Sequence, residues 1–256
     1  MSTALPTERT AIVTGAGSPR GIGRAIGARL GRDGWAVAVL DIDRDAALRT
    51  AAGIAEAHRV PTLGVGVDIT DEDAVDAAVD AVESALPPVI GLANVAGVSS
   101  PIDFLDVTTA EWDRVFAANV RGTFLVTRRV VPTMIAARAG RIVSMSSISA
   151  QRGGGTYSKV PYSAAKAAVI GFTRALAREM APHGITVNCV APGPIDTDIM
   201  GGTLTAERKV AMSADIPLGR VGTVDDVAAL VTFLMSEDAG YITAATYDVN
   251  GGLQIS

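Results

Sequence analysis

The chain has 256 residues, of which 48% are hydrophobic and 19% charged, and its net charge is −5. That length suffices for one large α/β domain with a sizeable core, and a mildly acidic chain without a basic run is a poor partner for nucleic acid or an anionic membrane. The single cysteine, Cys189, excludes a disulfide framework, and His58 and His183 have no partner at metal-ligand spacing, so no metal is expected. No apolar run reaches transmembrane length, and Met1–Thr10 lacks the grammar of a signal peptide. The expectation is a cytoplasmic protein.

Apolar runs alternate with longer amphipathic segments. Thr10–Val13 is strand-like and leads into a glycine-rich turn, and Gly21–Arg32 has Ile22, Ala25, Ile26 and Leu30 at helical spacing. Trp35–Leu40 predicts a buried strand ending at Asp41, Asp45–Ala57 a helix, and Pro61–Val67 a strand ending at Asp68. Thr70–Leu86 predicts a helix capped by Thr70, with Asp71, Glu72 and Asp73 in its first turn. Val89–Ala93 and Arg141–Ser146 predict strands on either side of a helical Ala110–Arg138, divided in two on account of Gly122 and Pro132. Helix Tyr162–Met180, strand Ile185–Val190, helix Val224–Met235 and strand Thr246–Val249 complete the series.

Fully apolar strands alternating with helices predict a parallel sheet covered on both faces. No repeat or linker interrupts the chain, so residues 1–256 are expected to form one α/β domain, a Rossmann-type doubly wound parallel sheet. Its ligand should sit outside the carboxyl ends of the strands.

The first turn reads Thr14-Gly15-Ala16-Gly17-Ser18-Pro19-Arg20-Gly21-Ile22-Gly23 between a strand and a helix, the context of a dinucleotide fingerprint. Glycines let backbone approach a pyrophosphate, and the helix N-terminus offers free N–H donors. The same residues also suit a ligand-free strand-to-helix turn. Asp41, just past the second strand, can accept from both hydroxyls of an adenosine ribose and repels a 2′-phosphate, which favours NAD over NADP. Arg20 pulls the other way, since a guanidinium in the loop suits a 2′-phosphate.

These residues resemble a known family. Thr14–Gly23, Asn94-Val95-Ala96-Gly97, Asn119, Ser147, Tyr162-Ser163-Ala164-Ala165-Lys166 and Pro192-Gly193-Pro194-Ile195-Asp196-Thr197 look like the ordered motifs of the short-chain dehydrogenase/reductases, compact single-domain type. The resemblance runs from about Thr10 to Gly252. Three departures stand out: a longer glycine loop containing Pro19-Arg20, Val95 where the family usually has a second Asn, and a longer Ser147-to-Tyr162 stretch whose extra length falls at Gly153-Gly154-Gly155.

Tyr162 and Lys166 are four apart on a predicted helix and so share a face. A nearby ammonium favours the phenolate, and a cationic oxidised nicotinamide should add to that. Tyr162 would then take the alcohol proton during oxidation and return it during reduction. An amphipathic helix showing both residues to solvent is the alternative. The resemblance gives Lys166 a second role on the nicotinamide ribose and makes Ser147 the group that orients the substrate oxygen. It makes Asn119 the holder of a relay water, where a structural kink is the alternative. Ser146 should face the opposite side of its strand.

The resemblance also implies a cofactor-binding set: Gly15, Ser18, Arg20, Gly21, Ile22 and Gly23 in the loop, Asp41 and Ile42 after the second strand, and Asp68 and Ile69 by the adenine. Asn94, Ala96 and Gly97 follow at the fourth strand, then Tyr162 and Lys166, with Pro192, Gly193, Ile195 and Thr197 around the nicotinamide.

For the substrate, Met200–Ala214 reads as a mobile lid within residues 193–215. Met200 and Leu204, with Ser147, Ser149, Gln151, Tyr157 and Tyr162, are expected to surround a small-molecule alcohol or ketone. Arg128-Arg129 either docks an acidic acyl carrier protein or forms a solvated helix face. The expected activity is NAD-dependent interconversion of a secondary alcohol and a ketone. The alternatives are an NADPH-dependent 3-oxoacyl-thioester reductase and a non-catalytic nucleotide-sensing or scaffold protein. On family grounds the chain should form a homodimer or homotetramer through the Tyr162–Met180 helix and Glu111–Arg138.

Overall fold

The structure, a computed structural model, describes residues 4–155, 157–200 and 202–255, and of Met200 the backbone only. Seven strands form one sheet: β1 (Thr10–Thr14), β2 (Ala36–Asp41), β3 (Thr62–Gly66), β4 (Val89–Asn94), β5 (Gly140–Met145), β6 (Ile185–Pro192) and β7 (Thr246–Val249). Their order is β3-β2-β1-β4-β5-β6-β7, and all pairs are parallel.

Strand side chains alternate between two cores, as a period of two requires. Ala11, Val13, Val37 and Val39 face helices α1 (Ile22–Arg32), α2 (Arg44–His58) and α9 (Val224–Leu234). Ile12, Ala38 and Leu40 face α3 (Glu72–Ala85) and α5 (Gly122–Ala137). The remaining helices are α4 (Thr109–Phe116), α6 (Ser149–Arg152), α7 (Val160–Met180) and α8 (Ala206–Ser213). The expected doubly wound sheet is what forms.

Two local expectations are corrected. Thr70 does not cap α3: Asp71 does, accepting from the Ala74 N–H at 3.1 Å, while Thr70 bonds to Asp68. The division of Ala110–Arg138 comes from neither Gly122 alone nor Pro132, which sits inside α5. It comes from one π turn, Ala117–Arg121, between α4 and α5. A π turn adds a residue to the helical repeat and rotates the helix beyond it, a device frequent at functional sites. Here it carries Asn119 into full burial.

Candidate active site

The strand order reverses between β1 and β4, and a cleft of about 430 Å³ opens beyond the carboxyl ends of the strands there. Of the expected residues, Gly15, Ser18, Gly21, Ile22, Asp41, Ile42, Asp68, Ile69, Ala96, Gly97, Ser147, Tyr162, Lys166, Pro192, Gly193, Ile195 and Thr197 line it. Thr70, Val95, Val98, Ala118, Met145, Ser146, Asp198 and Ile199 also line it and were not anticipated. Arg20, Gly23, Asn94, Asn119, Ser149, Gln151, Tyr157 and Leu204 are outside the lining, and the Met200 side chain and Gly201 lie outside the described residues.

The glycine loop is held from three sides. Gly15 has φ +65° and its N–H donates to the Leu40 carbonyl at 2.8 Å, and a Cβ there would come within 2.7 Å of the Ala96 backbone. Thr14 Oγ1 accepts from the Val95 and Ala96 N–H groups at 3.0 and 3.1 Å, tying the end of β1 to the end of β4. Gly23 serves packing, since a Cβ would meet the Gly15 carbonyl oxygen at 2.6 Å. Asn94 is likewise structural, donating from Nδ2 to Thr127 Oγ1 at 2.9 Å.

Helix α1 has Gly21 at its N-cap, so no side chain caps it, and no acid stands in its first turn. By contrast α2, α3, α4, α8 and α9 are capped by Asp43, Asp71, Thr108, Thr205 and Thr223. The α1 start therefore leaves backbone donors and a positive partial charge at the cleft. That is what a dinucleotide pyrophosphate requires, and the residues present fit one.

Asp41 presents its carboxylate at the cleft wall, where Oδ2 accepts from the Gly17 N–H at 2.7 Å and Oδ1 from the Asp43 N–H at 3.1 Å. Gly17 makes this possible, because a Cβ would sit 2.8 Å from the Asp41 carboxyl carbon. Arg20 departs from expectation. Its guanidinium is engaged by Asp196 at 2.7 Å and Asp198 at 3.1 Å, on the segment after β6. Lys209 of α8 shares Asp196. These two carboxylates hold the guanidinium, and Arg20 is not among the residues that line the cleft.

Tyr162 and Lys166 are 9% and 4% exposed, which rules out the solvated-face alternative. Lys166 Nζ lies 5.6 Å from the Tyr162 ring centroid and donates to the Met145 carbonyl at 2.8 Å. Burial lowers its pKa to about 8. Burial also dominates at Tyr162, whose phenol is pushed up to about 12 with the Ser147 hydrogen bond acting against it. The expected lowering by the ammonium is therefore not seen: the charge sits over the ring face and is bonded to the Met145 carbonyl, and burial of the phenol outweighs it. Asn119 donates from Nδ2 to the Val98 and Val115 carbonyls, both at 2.9 Å. Its Oδ1 is buried without a partner among the described residues. Gly97 makes room for that oxygen and for Lys166, because a Cβ there would collide with Oδ1 and come within 3.2 Å of Nζ. The kink and the aimed oxygen are thus one feature.

Strand β5 stops at Met145, one residue short of expectation. Ser146 does not simply face the far side: Oγ donates to the Lys166 carbonyl at 2.8 Å and fixes α7 against the end of β5. Ser147 Oγ is 3.2 Å from Ser149 Oγ, which is 3.0 Å from Ser158 Oγ, so the cleft-lining Ser147 is linked to two hydroxyls outside the lining. The extra length before Tyr162 is absorbed at Gly153 and Gly154, with φ of +89° and +94°. Gln151 is corrected, since Nε2 reaches away to Asp248 at 3.0 Å. Leu204 is 3% exposed and packs inward, and the lid region contains the helix α8. Among the described residues no group of His, Cys, Asp and Glu could hold a metal ion, and no helix is long and apolar enough to cross a membrane.

Comparison with known proteins agrees with this geometry. The profile of a family described as "Enoyl-(Acyl carrier protein) reductase" matches residues 15–254. An uncharacterized short-chain type dehydrogenase/reductase, y4mP, of Sinorhizobium fredii is 42% identical over 96% of this chain and 98% of its own. The 3-oxoacyl-[acyl-carrier-protein] reductase FabG of Aquifex aeolicus is 39% identical over 96% and 97%. The 2-(S)-hydroxypropyl-CoM dehydrogenase 3 of Xanthobacter autotrophicus is 35% identical over 99% of both chains. The buried Tyr162–Lys166 pair, the uncapped glycine turn and these full-length matches agree: the chain belongs to the short-chain dehydrogenase/reductase family and is an oxidoreductase acting on CH–OH groups with NAD(P).

Proposed function

We propose that the protein is an NAD-dependent dehydrogenase that interconverts a secondary alcohol and a ketone. The observation that carries the cofactor choice is Asp41, a carboxylate fixed at the cleft wall by two backbone donors, while Arg20 is held by Asp196 and Asp198. A fixed negative charge there opposes a 2′-phosphate, and the nearest loop cation is already neutralised.

A bound nicotinamide supplies the hydride acceptor. The chain's own groups handle the rest: Ser147 orients the substrate oxygen, Tyr162 Oη exchanges the proton with it, and Lys166 and Asn119 Oδ1 stand behind Tyr162 as the path by which that proton equilibrates with solvent. The other expected cofactor contacts that line the cleft are part of the same reading, without Arg20, Gly23 and Asn94.

The reading as a 3-oxoacyl-thioester reductase has the FabG relative in its favour. Against it, the arginines that might have met an acyl carrier protein are already paired: Arg128 with Glu72, and Arg129 with Asp76, Asp80 and Glu83, all on α3. Titration with NADH and NADPH, followed by nicotinamide fluorescence, separates the two. NADH is expected to bind at least roughly tenfold tighter, and Asp41→Asn to erase most of that preference. Tighter NADPH binding by the wild type would put the reductase reading first.

We place the protein in the cytoplasm as a homo-oligomer. Phe124 of α5 and Val160 of α7 are 41% and 43% exposed, on the helices expected at the interface. Gel filtration is expected to give a dimer or tetramer, and elution at the monomer mass of 26.2 kDa would end that expectation.

A further inference from the structure

Two walls of the cleft come from distant parts of the chain. The glycine turn lines it with Ser18, Gly21 and Ile22, and the segment after β6 lines it with Ile195, Thr197 and Asp198. Among the described residues, the hydrogen bonds that join these two segments are those of Arg20. Its Nη2 donates to Asp196 at 2.7 Å and its Nε to Asp198 at 3.1 Å, so one guanidinium is divided between two carboxylates. Lys209 of α8 reaches the other oxygen of Asp196 at 2.5 Å. That carboxylate is therefore gripped by two cations, and Lys209 above all, with Arg20 adding, holds its pKa below the ordinary value.

The two carboxylates are the residues on either side of Thr197, which lies in no strand or helix. Upstream the segment is fixed by backbone: the Asp196 N–H donates to the Gly222 carbonyl and the Gly222 N–H to the Pro194 carbonyl, both at 2.9 Å. The Thr197 N–H folds back onto the Ile195 carbonyl at 2.8 Å, which shapes the turn but does not tie it to the opposite wall. That tie is made by Arg20. Thr197 and Ile195 are 5% and 6% exposed, so the segment that Arg20 grips is also the one packed most closely beside the cleft.

We propose that Arg20 is a positioning residue for the cofactor: by gripping Asp196 and Asp198 it holds Thr197 and Ile195 against the nicotinamide, rather than by touching a phosphate itself. This rests on the reading that places the nicotinamide at Pro192–Thr197. It gives the cation of the glycine loop a part other than contact with a 2′-phosphate, and it brings α8 into cofactor binding through Lys209. The effect is preorganisation. Without the ion pairs a smaller fraction of molecules holds Thr197 at the cleft wall, and the apparent affinity falls by that fraction. One exposed pair contributes little, but Asp196 is 24% exposed and shared by two cations, so the effect should be several-fold.

NADH and ADP-ribose carry the same pyrophosphate, and only NADH carries the nicotinamide, so the pair separates this role from a phosphate contact. Each is titrated calorimetrically into the wild type, Arg20→Met, Arg20→Lys, Asp196→Asn and the Arg20→Met/Asp196→Asn double variant. The wild type is expected to bind NADH tighter than ADP-ribose. Arg20→Met and Asp196→Asn should each weaken NADH roughly three- to tenfold and leave ADP-ribose within about twofold, which also shows that the variants are folded. Arg20→Lys should recover part of the loss, because one ammonium cannot meet both carboxylates as a guanidinium does. The loss in the double variant should be clearly smaller than the product of the single losses, since both changes remove one shared interaction. Raising KCl from about 50 to about 500 mM should narrow the NADH to ADP-ribose ratio in the wild type and leave it unchanged in Arg20→Met. Equal weakening of both ligands would put Arg20 on the phosphates or the glycine turn and overturn the proposal, as would unchanged NADH binding in Arg20→Met or fully multiplicative losses. A wild type that binds NADH no tighter than ADP-ribose would overturn the placement of the nicotinamide itself, and the proposal with it.

Discussion

Tyr162→Phe is expected to lower kcat for alcohol oxidation by roughly 10²–10⁴-fold, the usual worth of a positioned general acid or base. Binding of NADH should change little. The substitution removes one oxygen from a ring packed against Val115 and Ala165, so the core around it is preserved. The effect should have a pH signature. Burial holds the phenol near 12, so throughout the neutral range Tyr162 is protonated and ready to donate in the reductive direction. Oxidation requires the same oxygen to accept a proton, so wild-type oxidation should rise with pH across the neutral and mildly alkaline range while reduction stays nearly flat. In Tyr162→Phe the residual oxidation rate should lose that slope. Steady-state rates from pH 6 to 10 check this, and turnover surviving intact in Tyr162→Phe would remove Tyr162 from the chemistry.

Most of the architecture was legible because its signals are local. Alternating apolar strands and helices specify the parallel sheet, and the glycine turn between Thr10–Thr14 and α1 marks where the cleft opens. Tyr162 and Lys166 are one helical turn apart, so sequence spacing alone brings them together. What escaped the sequence depends on distant or subtle geometry. The partners of Arg20 lie 176 and 178 residues away, and no local pattern predicts that pair. The π turn adds one residue within a continuously helical periodicity, so the stretch from Thr109 to Ala137 reads as a helix with a break at the wrong cause. Tyr162 was expected to lose its proton easily because the ammonium was counted and the desolvation was not. Thr14, Gly17 and Ser146 act by hydrogen bonds or by steric room between elements. Thr14 and Gly17 were at least signalled by their place in the glycine turn.

Lys166→Met should abolish activity and yet stabilise the cofactor-free protein at neutral pH. Burial lowers the Lys166 pKa from 10.5 to about 8, so below pH 8 carrying the charge costs the fold on the order of 3 kcal/mol. Methionine fills nearly the same unbranched volume without a charge. Losing the hydrogen bond to the Met145 carbonyl offsets about 1 kcal/mol of the gain. A net of about 1–2 kcal/mol corresponds to a rise in Tm of roughly 2–6 °C for a chain of this size. Linkage gives the sign of the pH dependence. Between about 8 and 10.5 the unfolded chain still holds the Lys166 proton that the folded chain has lost, so wild-type stability rises with pH through that window. Lys166→Met lacks this rise, and its advantage should shrink as pH climbs. Cys189 and Tyr162, both pushed upward by burial, work in the opposite direction. They are present in both proteins, so the difference between the two melting curves from pH 7 to 9 reports Lys166 together with its coupling to Cys189. A Lys166→Met protein less stable than wild type at pH 7 would mean that the ammonium is a structural strut. A more stable and inactive one would mean that the fold tolerates a buried charge at Lys166 because the chemistry beside Tyr162 needs it there.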